Sequence, residues 1–128
     1  MGNIKLNGKV FSGQGEGKKL IELPWVSRQI KEKLGFTPYH GTLNLRLSEE
    51  SVKHRRTLEK AAVMRVCPAE GYCTGLLFKA FIAGLECGVV IPEVENYPEN
   101  VLEVVASVCL REKLQLRDGD EVTVTVSV

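Results

Sequence analysis

The C-terminal segment, Glu121 to Val128, alternates with a period of two. Val122, Val124, Val126 and Val128 fall on one side and Thr123, Thr125 and Ser127 on the other. That period belongs to a strand with one apolar face. A valine-rich strand also carries an edge that will pair with any strand it meets, and closure of the sheet on itself removes the hazard. Comparable apolar or β-rich runs cover Ile4 to Phe11 (interrupted at Gly8), Thr42 to Leu47, Ala61 to Cys67, Tyr72 to Ile82, Cys87 to Ile91 and Val101 to Ala106. Ala69-Glu70-Gly71 and Ala83-Gly84-Leu85-Glu86 punctuate them as hairpin loops would. Pro24 to Leu34 reads as a helix, with Pro24 in its first turn and Gly35 at its end, and Val108 to Leu116 as a shorter one. Ser48 to Lys60 is charged and reads as a surface loop with some helical tendency. Six or seven short strands with two brief helices predict a mainly β fold, a small closed barrel. The span 1–128 is expected to be a single domain, with no repeat or linker.

Composition removes several function classes. The formal net charge is +1, which disfavours a dedicated nucleic-acid binder. No stretch is long and apolar enough for a bilayer-spanning helix, and Met1-Gly2-Asn3-Ile4-Lys5 lacks the apolar run of a signal peptide, so a cytoplasmic location without membrane partners is expected. Cys67, Cys73, Cys87 and Cys109 show no Cys-x-x-Cys spacing and read as small buried hydrophobes. His40 and His54 match no zinc pattern.

Four segments could carry chemistry. In Ser12-Gly13-Gln14-Gly15-Glu16-Gly17-Lys18-Lys19 the alternating glycines would let backbone N–H groups approach a phosphate, with lysine charge following; the same residues would suit a flexible hairpin loop. On a strand through Gly41-Thr42-Leu43-Asn44-Leu45, Thr42 and Asn44 share one face while Leu43, Leu45 and Leu47 enter the core. The two oxygens could serve a hard cation or simply face water. Glu103, alone in Val101-Leu102-Glu103-Val104-Val105, either faces water or is a desolvated carboxylate able to hold or deprotonate a hydroxyl. Arg111, in Leu110-Arg111-Glu112, is either an exposed helix residue or a nucleotide clamp.

Taken in order, these blocks resemble the archaeal CTP-dependent riboflavin kinases over nearly the whole chain. The likeness is carried by Ser12 to Lys18, by Leu34-Gly35-Phe36-Thr37-Pro38-Tyr39-His40-Gly41-Thr42-Leu43-Asn44-Leu45, by Val90-Ile91-Pro92 with Tyr97-Pro98, and by Glu103-Val104-Val105-Ala106 through Leu110-Arg111 to Leu116-Arg117-Asp118-Gly119-Asp120. The resemblance implies a six-stranded cradle-loop barrel that phosphorylates riboflavin to FMN with CTP and Mg²⁺, leaving CDP. It implies nucleotide contacts at Gly13, Gln14, Gly15, Glu16, Gly17 and Lys18 and at Cys109, Leu110, Arg111 and Glu112. Metal ligands fall on Thr42 and Asn44, and flavin contacts on Glu95 and Glu103, with Glu103 the catalytic candidate. Two departures stand out: Glu95 occupies a position that holds threonine in the family, and Ser107 follows Ala106 where proline is common, as a good helix N-cap. The family often carries a fused N-terminal helix-turn-helix domain, and none is expected here; the protein is expected to act as a monomer. The competing expectation is a non-catalytic flavin-, nucleotide- or DNA-binding barrel.

Overall fold

A computed structural model describes residues 2–12, 22–61, 64–67, 75–93 and 95–128. Seven strands and three helices lie within them: β1 (Asn3–Phe11), α1 (Pro24–Leu34), β2 (Leu43–Leu47), α2 (Glu49–Lys60), β3 (Met64–Val66), β4 (Gly75–Ile82), β5 (Leu85–Pro92), β6 (Val101–Val105), α3 (Leu110–Lys113) and β7 (Glu121–Ser127). All pairings are antiparallel, in the order β3-β4-β5-β6-β2-β1-β7. The sheet closes because β4 also pairs with β7, through Ala80↔Val126 and Phe81↔Thr125. Six strands therefore form a barrel, as expected. β3 stands outside it on the other half of the β4 edge, opposite Gly75 to Leu77.

Each barrel strand sends alternate side chains inward. Leu6 and Val10, Leu43, Leu45 and Leu47, Phe78 and Ala80, Val89 and Ile91, Leu102 and Val104, and Val122, Val124 and Val126 make one buried core. Val128 breaks the expected pattern and is exposed, beyond the last paired residue of β7. The tight turn Ala83–Gly84 joins β4 to β5 with positive φ at both residues (49° and 80°), the twist a two-residue hairpin requires. Leu85 and Glu86, expected in that loop, are already strand.

A second core lies on the outer face. There α1 lays Val26, Ile30 and Leu34 over Val66, Leu77, Val90 and Val105. The helix ends where expected, at Gly35 (φ 83°), whose N–H donates to the Lys31 carbonyl at 2.9 Å. The Gln29 side chain ties α1 to the backbone of Cys67, donating to its carbonyl at 2.5 Å and accepting from its N–H at 3.0 Å.

Three expectations are corrected. The segment expected as a loop is a full helix over Glu49–Lys60 with Ser48 as its N-cap: Ser48 Oγ accepts from Ser51 N at 3.2 Å, Glu49 and Glu50 sit in the first turn, and Leu58 joins the barrel core. Its charged composition hid a narrow buried stripe. The later helix shrinks to Leu110–Lys113, ended by Gln115 at φ 53°; its N-cap is Cys109 rather than Ser107, and no side chain caps it. Of the cysteines, Cys87 is buried as expected, whereas Cys109 is half-buried and Cys67 is disulfide-bonded. The hairpin loop expected at Ala69-Glu70-Gly71, and Cys73, lie outside the described residues. No described helix is long and apolar enough to cross a membrane.

Gly88 is what lets α1 seat this closely. A Cβ there would run into Leu34 Cδ1 and lie 3.2 Å from Val105 Cγ2 and 3.3 Å from the Phe78 carbonyl oxygen. Gly88→Ala is expected to destabilise the domain by about 1–3 kcal/mol in urea titrations. In a Leu34→Ala background, where the obstructing methyl is gone, the same substitution should cost well under half as much.

Candidate active site

Strand direction gathers the chemistry-bearing segments. Antiparallel pairing places the end of β1, the start of β2, the end of β6 and the start of β7 at one rim of the barrel. That rim collects Ser12, Thr42, α3 and the turn before β7. The backbone stitches them together: Tyr39 N donates to the Ala106 carbonyl at 2.7 Å, Val10 N to the Asp120 carbonyl at 2.9 Å, and Gly119 N to the Val10 carbonyl at 2.7 Å. Gly13 to Lys18, the candidate phosphate loop, lies outside the described residues, but its entry point does not. Ser12 Oγ donates to Asp118 Oδ2 at 3.1 Å, and Arg111 on α3 bonds Asp118 Oδ1 and, at 3.4 Å, Ser12 Oγ. Arg111 is thus not an unattached surface residue. It joins the entry of the glycine segment to the second candidate nucleotide segment, Cys109 to Glu112. Tyr39 packs beside that segment and stacks on His40 with ring centroids 4.2 Å apart. Its phenol is pushed above the ordinary value, chiefly by Cys109, then by burial and by Glu112.

A lateral row crosses the outer face below this rim. Register pairs Phe11 with Asn44, Asn44 with Glu103, and Glu103 with Val90. Leu102 and Val104 face the barrel core and Val105 faces α1, so the alternation puts Glu103 outside, between Asn44 and Val90. It does not face water. Glu103 is 1% exposed. Thr42 Oγ1 donates to its Oε1 at 2.8 Å and the Tyr97 hydroxyl to its Oε2 at 2.6 Å. Of the two readings left open by the sequence, the desolvated carboxylate is the one the fold builds. Thr42 and Asn44 are half-buried on the face predicted for them, with Leu43, Leu45 and Leu47 buried behind.

Glu95 is exposed on the turn that leads to Tyr97, beside Asn96 at φ 64°, and does not join Thr42 and Asn44 at Glu103. Tyr97, whose sequence signal is only the Tyr97-Pro98 step, is the residue that reaches the carboxylate. It also borders a cavity of about 320 Å³ walled by Leu76, Ile91 and Pro92. A larger cleft of about 1050 Å³ runs along β1 past Phe11, Arg46 and Asp118. Arg46 lies over the Phe11 ring at 4.4 Å. No group of three or more His, Cys, Asp or Glu that could hold a metal occurs among the described residues.

The model of the CTP-dep_RFKase family, described as "Domain of unknown function DUF120", matches residues 10–126. The chain belongs to the CTP-dependent riboflavin kinase family. It is 44% identical to the riboflavin kinase of Archaeoglobus fulgidus over 98% of this chain and 55% of that protein. It is 44% identical to the riboflavin kinase of Pyrobaculum aerophilum over 97% of this chain and 61% of that protein. Against the riboflavin kinase of Ignicoccus hospitalis the figures are 40%, 96% and 71%. The chain thus spans little more than half the length of the first of these relatives. The family match covers the rim, the lateral row and Tyr97 together.

The Arg111 guanidinium holds the Asp118 carboxyl below its ordinary value of 3.8. A depressed acid contributes stability above its unfolded value and loses it as pH falls through the folded value. Arg111→Gln should therefore be less stable than the parent at pH 6, and the gap should close as pH falls below the ordinary Asp value and through the depressed folded one. The Asp118 carboxyl carbon followed by NMR should titrate closer to its ordinary value in the variant. The effect is expected to be small, because the pair is solvent-exposed.

Proposed function

We propose that this domain transfers the terminal phosphoryl group of CTP to the 5′-hydroxyl of riboflavin, giving FMN and CDP. One observation carries the reading. A fully buried carboxylate, Glu103, has each oxygen held by a hydroxyl donor, and it lies one strand from Asn44 and two from Phe11, where the chain leads into the glycine segment. Family membership and the names of the relatives support the same substrates.

Phosphoryl transfer asks a protein mainly to position reactants and neutralise charge. In this reading Gly13 to Lys18 cradles the CTP phosphates through backbone N–H groups, with Lys18 supplying charge, and Cys109 to Glu112 holds the cytidine. Thr42 and Asn44 fit a hard cation such as Mg²⁺. The Thr42 hydroxyl donates its hydrogen bond to Glu103, which leaves its oxygen lone pairs for a metal, and the Asn44 amide oxygen is a second hard ligand two residues along the same face. When bound, the ion would offset the charge of the phosphate oxygens. In this reading Glu103 accepts a hydrogen bond from the riboflavin 5′-OH, orients it, and takes its proton as the new O–P bond forms and CDP departs. Glu95, standing where the family has threonine, puts a carboxylate rather than a hydroxyl donor on the flavin side.

The test is direct: protein, riboflavin and Mg²⁺ are incubated with CTP or ATP, and FMN is separated chromatographically. FMN is expected with CTP well above that with ATP. Equal rates would remove the nucleotide preference, and no FMN with any nucleoside triphosphate would remove the kinase reading. Glu103→Gln should lower kcat by about 10²–10⁴-fold while CDP affinity changes little.

Both proposed metal ligands are neutral, so phosphates must supply the anionic share of the site. Calorimetric titration should find weak Mg²⁺ binding to the free protein and markedly tighter binding with CDP present. Thr42→Ala and Asn44→Ala should each abolish that gain. Tight binding without nucleotide would mean that a carboxylate completes the site.

A further inference from the structure

Arg55 is the most deeply buried cation among the described residues, at 3% exposure, and nothing in the reaction as outlined uses it. It lies on α2, at the barrel rim opposite α3: β2 runs antiparallel to β6, so the helix after β2 meets the loop before β6. Its Nη1 donates to the Glu99 carbonyl at 2.7 Å and the Pro98 carbonyl at 3.4 Å. Its Nη2 is 3.7 Å from Glu59 Oε1, and its guanidinium carbon lies 5.8 Å from the centre of the Tyr97 ring. Nε has no partner among the described residues.

Burying a guanidinium with one nitrogen unsatisfied is expensive, and an apolar residue of similar volume would fill the space at lower cost. The contacts indicate what the cost secures. Both carbonyls that Arg55 holds belong to the two residues after Tyr97, in a stretch without regular structure whose other backbone anchors are Val101 N to the Pro98 carbonyl and Leu47 N to the Asn100 carbonyl. Tyr97 in turn holds Glu103 Oε2. A glutamate side chain has three rotatable bonds. Thr42 on Oε1 and Tyr97 on Oε2 hold the carboxylate from opposite sides and restrict rotation about those bonds.

We propose that Arg55 and Tyr97 are positioning residues for Glu103. The guanidinium sets the backbone that carries Tyr97, and the Tyr97 hydroxyl orients the carboxylate to which Thr42 also donates. The assignment rests on the kinase reading for its effect on rate, but not for its effect on Glu103 itself. A misplaced reacting group costs up to about 10²-fold in rate without weakening the binding of remote substrate parts.

The experiment uses Tyr97→Phe, Arg55→Met and the double variant, each measured in two ways. In steady-state FMN synthesis, Tyr97→Phe should lower kcat by about 10- to 100-fold with the KM for CTP within about twofold of the parent. Arg55→Met should do the same, and the double variant should be no slower than the slower single variant, since both act through one contact. Arg55→Lys should not restore the rate, because an ammonium lacks the planar fork. Independently of activity, the side-chain carboxyl carbon of Glu103, followed by NMR, should give one sharp signal in the parent and a shifted or broadened one in Tyr97→Phe.

Multiplicative losses in the double variant, or a raised KM for riboflavin with kcat unchanged, would overturn the proposal in favour of separate structural or binding roles. An unchanged Glu103 signal in Tyr97→Phe would overturn it outright. Should Arg55→Met fail to fold, Tyr97→Phe alone still decides through the carboxyl signal. Should the parent make no FMN, the kinase reading falls while that same signal still tests the positioning.

Discussion

The contact between β4 and β7 is short, covering Ala80↔Val126 and Phe81↔Thr125, yet it turns an open sheet into a cylinder. Closure hides the valine-rich edge of β7 and lets the inward side chains of six strands share one core. It also leaves the other half of the β4 edge for β3, which extends the sheet under α1. Every feature of the candidate site is placed relative to that cylinder, because strand direction decides which loops meet at which rim.

A closed barrel has a filled interior, so its chemistry must be found outside. Two covers lie on the outer face around β6. α1 keeps Val90 and Val105 dry through aliphatic packing, and the 95–100 loop closes over Glu103 through Tyr97. The carboxylate is consequently desolvated on the surface of the barrel rather than in its core. Burying a polar group costs free energy unless it is hydrogen-bonded, and both oxygens of Glu103 accept from hydroxyl donors. The arrangement places a hydrogen-bond acceptor two strands from β1, which leads to the glycine segment, without opening the barrel itself.

The two rims have different work. The rim with α3 gathers polar and charged partners, Ser12, Arg111 and Asp118, around the entry to the glycine segment. The opposite rim is closed by α2, whose Leu58 enters the core and whose Arg55 grips the loop backbone. Glu103 lies between them and is held from both sides, by Thr42 from the first rim and by Tyr97 from the second.

Much of this was legible in the chain before any fold was known. The period-two runs located the barrel strands, the leucines of β2 showed their inward face, and Pro24 and Gly35 marked both ends of α1. Those signals are local, since each depends on a residue's immediate neighbours. The order of the blocks identified the family for a similar reason, as spacing survives in sequence. The state of Glu103 was not legible. Its neighbours Leu102 and Val104 are apolar because they face the core, and they say nothing about what covers the other side. That cover comes from Tyr97 on a loop, Thr42 just before β2 and four strands earlier in the chain, and Arg55 on a helix whose charged sequence looked like solvent-facing loop. The sequence by itself determined which residues alternate, which segments hold the barrel strands, and where α1 begins and ends. Only the tertiary structure decided which outer-face residue is taken out of water, because burial of that face depends on segments brought together across the barrel rather than along the chain.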